Sequence, residues 1–373
     1  MTISINSVNK IAACKDLWDD FLPETHHLKK RHLLQLEKAD IPNIETYYLQ
    51  IFLEKKLIGL AYLQLFRFNH THLNFSTPQT VQSWLIRFFL PRSLHLLVCG
   101  NLFRINFQGF YFKNEHHNAF IFEAIKLFTR QNRKLNPYGI IVKDCDDVFL
   151  DEKYSSSKYQ FFNGDVTMEI TRRQLWVSFD DYLNDLTKKY FKRAKKIIQA
   201  FEAVVIKELG AAEILENAAD IERLYLNVVN KQKVRLGIIN AVYLYELKLD
   251  LERDFELHAI YLNNTMIGFY SYIFYRNEME THFIGLDYNY NNTHKTYFNI
   301  LFLSVQKMID RNYDKLELGR TAKEAKANLG AFPKQIFNYV KVNNALAKIA
   351  LRHFLKKFNL AENQLQSERS PLK

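Results

Sequence analysis

At 373 residues the chain exceeds the common size of one domain, and 48% hydrophobic with 24% charged residues excludes a disordered polymer. The 51 Lys+Arg against 40 Asp+Glu leave a formal charge of +11. That suits anionic partners such as nucleotide phosphates, nucleic acid or acidic lipid without choosing among them. Cys14, Cys99 and Cys145 are widely spaced and form no CxxC pair, so neither a zinc site nor a disulfide framework is expected. The histidines, His26-His27 and His116-His117 among them, show no metal-ligand spacing. Met1-Thr2-Ile3-Ser4 does not open a secretory signal, and the most apolar run, Trp84–Cys99, is broken by Arg87, Pro91, Arg92 and His95. A soluble cytoplasmic protein is the expectation.

Helical spacing runs from about Asn9 to Glu37, through Ile11, Leu17, Trp18, Phe21, Leu33, Leu34 and Leu36. Strand-like alternation follows over Tyr47–Phe52 and again up to Phe68. His70–Ser93 reads as an insertion with Trp84, Phe88 and Phe89 as packed aromatic core, and His95–Phe103 as a strand. A helix over His117–Arg133 leads into a β-rich run at Gly139–Asp144, and Asp151–Gly164 is turn-rich. Met168–Trp176 alternates; one long helix is expected from Asp180 to Ala203 and another over Ala218–Leu236. Three strands, a polar loop at Tyr288–Thr293, a helix to Arg311 and a short strand before Leu318-Gly319-Arg320 come next. Phe337–Val342 reads as a strand, Ala345–Phe358 as a helix and residues 361–373 as a flexible tail.

An internal repeat organises these elements. Leu53-Glu54-Lys55-Lys56-Leu57-Ile58-Gly59 and Leu262-Asn263-Asn264-Thr265-Met266-Ile267-Gly268 share a strand end, a polar turn, an apolar residue and Ile-Gly. Each leads into an aromatic-rich strand, a further strand, a helix and a strand. Duplication predicts two similarly folded halves, residues 1–165 and 166–360.

The order of elements, together with Phe283-Ile284-Gly285-Leu286-Asp287, Tyr297, Leu318-Gly319-Arg320, Lys326-Ala327-Asn328-Leu329-Gly330-Ala331 and the basic segment Leu183–Ala194, resembles the GNAT superfamily of N-acyltransferases. Within it the chain is similar to the double-GNAT branch that includes BioF2-like acetyltransferases and Fem-type peptidyltransferases. The resemblance implies an α/β fold with mixed sheets in tandem GNAT-like domains, the C-terminal half catalytic. It implies acyl transfer to a primary amine, with acetyl-CoA or another acyl-CoA as co-substrate and no metal. Fem-type transfer from charged tRNA to a peptidoglycan precursor is the alternative, and a degenerate binding module the third. The chain departs from the GNAT pattern in one respect: Tyr288–Thr296 contains no glycine where a Gly-rich pyrophosphate loop is usual.

Acyl transfer needs a base for the attacking amine and a proton for the leaving group. Strand alternation puts Glu280, His282 and Ile284 on one face, making Glu280 and His282 candidate bases, and Tyr297 a candidate acid. A solvated Glu, a packed His and a Tyr on the helix's apolar stripe with Leu301, Ser304 and Met308 account for the same residues. Asn292, Thr293, His294 and Lys295 lead into the helix whose free N–H groups suit the cofactor's phosphates. Asp287, Arg320, Lys326 and Asn328 are the candidate substrate-binding residues, with a solvated helix face as the plain alternative for Lys326. The basic helix carries Lys188, Lys189, Lys192, Arg193, Lys195 and Lys196 around an apolar line of Leu186, Tyr190, Ala194, Ile197 and Phe201, so one face packs and the other is densely positive. Small-molecule or cell-envelope amines, and tRNA in the alternative, are the expected partners.

Overall fold

The computed structural model describes residues 2–14, 17–69, 93–145, 148, 159–232, 237–344 and 370–373. The aromatic insertion at 70–92, the segment 151–158, the helix expected at 345–358 and most of the expected tail lie outside them. In chain order the elements are β1 (Ile3–Val8), α1 (Leu17–Phe21), α2 (Leu34–Ala39), β2 (Ile44–Leu53), β3 (Lys56–Phe68), β4 (Leu94–Cys99), β5 (Phe110–Phe112), α3 (Phe120–Gln131), β6 (Gly139–Cys145) and β7 (Gln160–Thr171). There follow α4 (Phe179–Asp185), α5 (Lys188–Gln199), β8 (Val205–Glu208), α6 (Ala211–Glu216), α7 (Ala218–Val229), α8 (Ala241–Leu251), β9 (Phe255–Leu262), β10 (Thr265–Tyr275) and β11 (Glu278–Leu286). The series closes with α9 (Tyr288–His294), α10 (Thr296–Asp310), β12 (Lys315–Glu317), α11 (Lys323–Ala327) and β13 (Phe332–Val342). No helix among the described residues is long and apolar enough to cross a membrane.

Two compact units are formed. The first takes Met1–Asp165, Gln232–Ile239 and Ile336–Gln364, the second Val166–Lys231, Asn240–Gln335 and Leu365–Lys373. The first unit's strands run β1-β2-β3-β4-β6-β13, with β5 on β3. All its pairings are antiparallel except β4 with β6, which needs the crossover that α3 supplies. The second unit repeats the scheme as β8-β9-β10-β11-β12-β7, where β11 and β12 are parallel and α10 is the crossover. Helix α3 buries Ile121, Phe122, Ile125 and Phe128, and α10 buries Ile300, Leu301, Val305 and Met308. Their 3.6-residue spacing makes each a one-sided cover for its sheet.

The repeated sequence is a repeated piece of backbone. Glu54 and Lys55 have φ of 48° and 71°, and Asn263 and Asn264 have 48° and 63°. Both hairpins therefore turn through two consecutive left-handed residues, the arrangement whose twist matches the flanking strands. Both also carry a β-bulge at the Ile of Ile-Gly. The β2–β3 register passes from Leu57↔Phe52 to Gly59↔Ile51, and β9–β10 from Met266↔Tyr261 to Gly268↔Ile260.

Three segments differ from expectation. The single helix expected over Asp180–Ala203 is two, because Leu186 is extended (ψ 142°), its backbone bridges Leu372, and the Thr187 N–H donates to the Pro371 carbonyl at 2.8 Å. The helix expected to reach Leu236 ends at Val229. The polar loop after β11 is helical, because the Asp287 side chain accepts from the Asn289 N–H at 3.0 Å and caps α9.

Candidate active site

The second unit opens between its two parallel strands. Glu278, Met279 and Glu280 of β11 pair with Lys315, Leu316 and Glu317 of β12, and there the pairing stops. The chain leaving β12 follows β7 instead: the Leu318 N–H donates to the Met168 carbonyl at 2.8 Å, and the Met168 N–H to the Gly319 carbonyl at 3.2 Å. Strand β11 continues to Leu286, so the β12 side of Thr281–Leu286 has no strand among the described residues. Ligands in α/β sheets gather at such carboxyl ends of parallel strands.

Within this open stretch β11 carries a bulge. Ile284 is opposite Tyr270 and Thr281 opposite Tyr272, so His282 and Phe283 share one step. The bulge corrects the expected alternation. His282 and Phe283 both face the Tyr243 ring of α8, on the side Glu280 shares, whereas Ile284 turns into the core under α10 with Met279 and Leu286. The Phe283 N–H is taken up by the Ser271 hydroxyl at 3.0 Å. Tyr297 packs on the α10 side with Phe298, and burial pushes its hydroxyl well above the ordinary tyrosine value, keeping it a neutral donor. Glu280 and His282 therefore come together, and Tyr297 stands on the other face of the sheet.

A pocket of about 510 Å³ lies against the start of α10, lined by Lys189, Lys192, Arg193, Lys196, Ile197, Lys295 and Phe298. Five of its seven lining residues are cationic, with the Arg193 guanidinium 5.3 Å from the Phe298 ring centre. Arg193 and Phe298 also wall a second hollow of about 390 Å³ with Ala322, Lys323, Glu324, Ala325 and Asn328. The spacing of Lys189, Lys192, Arg193 and Lys196 keeps them on one face of α5, while Ala194 and Ile197 are buried on the other. Asn299 fixes the wall: its side-chain amide donates to the Ile197 carbonyl at 2.9 Å and to the His294 and Lys295 carbonyls at 3.1 and 3.3 Å. Lys295, left-handed at φ 51°, separates α9 from α10. Of the expected phosphate-binding group, Lys295 lines the pocket and the His294 ring contacts the Ala200 carbonyl at 3.2 Å. Asn292 and Thr293 are exposed on α9.

The expected substrate-binding residues separate. Asp287 is occupied as the α9 cap and in an ion pair with Arg223 at 3.6 Å. Asn328 lines the smaller hollow, and Arg320 is half-buried just past Gly319. Lys326 is not on a solvated helix face: it is buried and donates to the Gly319 carbonyl at 3.0 Å. Burial pushes its ammonium down to about 8, helped by Lys323 and opposed by Glu317. Glu317, which the sequence did not single out, is buried as well, and Oε1 accepts from the Thr167 hydroxyl and from the Gly319 N–H at 2.8 Å. Burial, reinforced by Glu280 and Glu169, pushes its carboxyl up to about 7 against those hydrogen bonds.

Glu208, Glu256 and His258 bring three potential ligand atoms together, but cations already occupy the carboxylates. Lys307 and Arg311 contact Glu256 at 2.8 and 2.6 Å, and Lys248 contacts Glu208 at 2.8 Å. This charge balance suits an ion network rather than a metal.

No protein-family model and no curated protein matches the chain. Solved structures do. A tandem GNAT protein from the clavulanic acid biosynthesis pathway is 9% identical, with 92% of this chain and 99% of that one covered at a TM-score of 0.51. FemX is 9% identical over 94% and 99% of the two chains at 0.49, and L-PGS from Bacillus licheniformis 11% identical over 88% and 96% at 0.49. With the doubled meander, the parallel pair and the crossover helix in each unit, the chain has the tandem GNAT fold.

Proposed function

We infer that the protein is an N-acyltransferase whose second unit takes an acyl-CoA, acetyl-CoA in the simplest case, and passes the acyl group to a primary amine. The observation that carries this reading is the cationic pocket between α5 and the start of α10. Lys189, Lys192, Arg193, Lys196 and Lys295 supply the charge for the donor's phosphates. Among the described residues no strand covers the β12 side of Thr281–Leu286, and an extended amide chain such as a pantetheine arm could add there as a strand. Glu280, with His282 beside it, takes the amine's proton, and the leaving thiolate takes its proton from solvent, since Tyr297 stands on the other face of the sheet. Asn328, which lines the smaller hollow, and Arg320 are the remaining candidates for polar groups of the acceptor, because Asp287 and Lys326 are engaged inside the protein. Calorimetry with acetyl-CoA tests the reading: saturable binding that weakens as salt rises is expected, and no binding at millimolar ligand would sink it.

One observation favours the second reading, transfer from charged tRNA. Lys188 and Lys195 extend the positive face of α5 beyond the pocket, and the Lys195 ammonium lies 5.6 Å from the Phe191 ring centre. Tighter binding of tRNA than of acetyl-CoA, with a steep salt slope, would replace the first reading by this one.

A further inference from the structure

Three residues far along the chain, Pro371, Leu372 and Lys373, fasten the joint between α4 and α5. A helix running on from Leu183 would give the Thr187 N–H to the Leu183 carbonyl. Here the Leu186 N–H takes that carbonyl at 3.1 Å, and the Thr187 N–H donates to the Pro371 carbonyl at 2.8 Å. Leu186 is extended and pairs with Leu372 in a single antiparallel bridge. On the α4 side of the joint, the Lys373 N–H donates to the Asp185 carbonyl at 2.8 Å and its ammonium to the Asn184 carbonyl at 2.6 Å. The Arg173 guanidinium ties strap to joint, donating to the Asp185 carboxylate and to the Lys373 carbonyl, both at 2.9 Å. Asp185 is itself held by the Trp176 indole N–H at 2.9 Å.

Leu372 does more than pair. It is buried in the core that holds Leu186, Ala327, Leu329 and Ala331. A Cβ on Gly330 would stand 2.8 Å from Leu372 Cδ1, so a glycine, here at φ 93°, is what lets the leucine seat against that turn. The leucine thereby links two segments that wall the cationic hollows. One is α5, which brings Lys189, Lys192, Arg193 and Lys196; the other is the turn from α11 through Asn328 to Gly330. Among the described residues the Thr187 side chain makes no cap hydrogen bond to α5. The apolar line of Leu186, Tyr190, Ala194 and Ile197 keeps helical phase through the joint, so the local sequence favours one helix and the break is imposed by the strap.

We propose that Leu372 is a positioning residue for the donor pocket: seated between Leu186 and Gly330, it keeps α5 separate from α4 and aims the cationic face of α5 at Lys295 and Phe298. This role rests on the acyl-CoA reading for the identity of the ligand. With the strap unseated, Leu186 rejoins the helix, α4 and α5 run on as one, and the cations of α5 no longer converge on the start of α10. The coupling is reciprocal by thermodynamic necessity: a seated strap that favours the ligand is itself favoured, by the same factor, when the ligand is bound. Leu372 lines neither hollow and acts only through the direction of α5.

The test uses the full chain with 13C-labelled leucine and threonine, as wild type, L372D and L372M, and coenzyme A as the probe. The backbone 13C shifts of Leu186 and Thr187 should report extended residues in the wild type and move to helical values in L372D. Coenzyme A should bind L372D at least about tenfold more weakly in calorimetry. L372M refills the slot with a flexible apolar chain and should restore both the shifts and the affinity. Extended shifts in L372D, or helical shifts with unaltered affinity, overturn the role and leave the acyl-CoA reading standing. If L372D does not fold, L372A, which only empties the slot, is judged by the same two measurements. In the wild type, saturating coenzyme A should slow amide hydrogen exchange at Lys373, and exchange that the ligand leaves unchanged overturns the coupling. No binding of coenzyme A by the wild type removes the acyl-CoA reading and this role with it.

Discussion

The Asn299 side chain ties the first turn of α10 to the Ile197 carbonyl near the end of α5, at 2.9 Å. One buried amide thereby sets the distance between the basic face of α5 and Lys295. Replacing it by Ala removes the side-chain donor from the Ile197 and His294 carbonyls, while the Lys295 carbonyl still accepts from the residue 299 N–H, and should cost about 1–3 kcal/mol. Asn299→Ala should lower Tm in thermal denaturation and weaken coenzyme A binding in calorimetry. Lower stability with unaltered binding would show that the pocket does not depend on this tie.

Charge removal inside the pocket has a different signature. Lys189 and Lys196 stand on the solvent side of α5 and are exposed, so Ala at both positions should leave Tm nearly unchanged. The double variant should bind coenzyme A at least about tenfold more weakly, about 1.4 kcal/mol, with a shallower salt dependence. Equal affinity at low salt would place the phosphates elsewhere.

Glu256 governs acid stability. Burial would raise its carboxyl, but the hydrogen bonds and charges of His258 and Lys307 outweigh that and hold it down at about 2. A carboxyl lowered by folding contributes stability that is complete above its ordinary 4.5 and is lost as pH falls through 2. The interval corresponds to about 3 kcal/mol. Glu256→Gln should destabilise by about 3–5 kcal/mol at pH 7, since it leaves Lys307 and Arg311 beside a neutral group. Denaturant melts at pH 7 and pH 3 check this, and the gap between variant and wild type should narrow at the lower pH.

The first hairpin is less well made than the second. Lys55 sits at φ 71° and Glu54 at φ 48°, where the second copy has Asn at both places. Lys55→Gly should raise stability by roughly 0.5–1 kcal/mol by relieving left-handed strain. Asn264→Gly should gain less, because Asn already tolerates that region. A chemical-denaturation midpoint for each variant decides the order.

What the sequence reveals about this fold follows from range. The repeat is legible because its turn and bulge lie within seven residues, so local chemistry is copied with the backbone. Lys295 and the basic face of α5 are visible for the same reason. Glu317 escapes because β12 is only three residues long and shows no periodicity, and its neighbours Glu280 and Glu169 are distant in the chain. The helix after β11 is hidden by its own asparagines, whose propensity argues for a loop. An Asp cap and the long-range hold of Asn299 override it. The bulge at His282–Phe283 leaves no mark in composition, and it turns Ile284 away from the face that alternation gives Glu280 and His282.

The parting of β11 from β12 has a consequence for the life of the protein. A sheet edge from Thr281 to Leu286 that no strand covers among the described residues is a template that an extended peptide can pair with. In the donor-binding reading the ligand is a removable strand, and the same groups that grip it are those through which a crowded chain would associate wrongly. Susceptibility to misassembly would then follow the supply of donor, highest in starved cells and lowest when the site is kept filled.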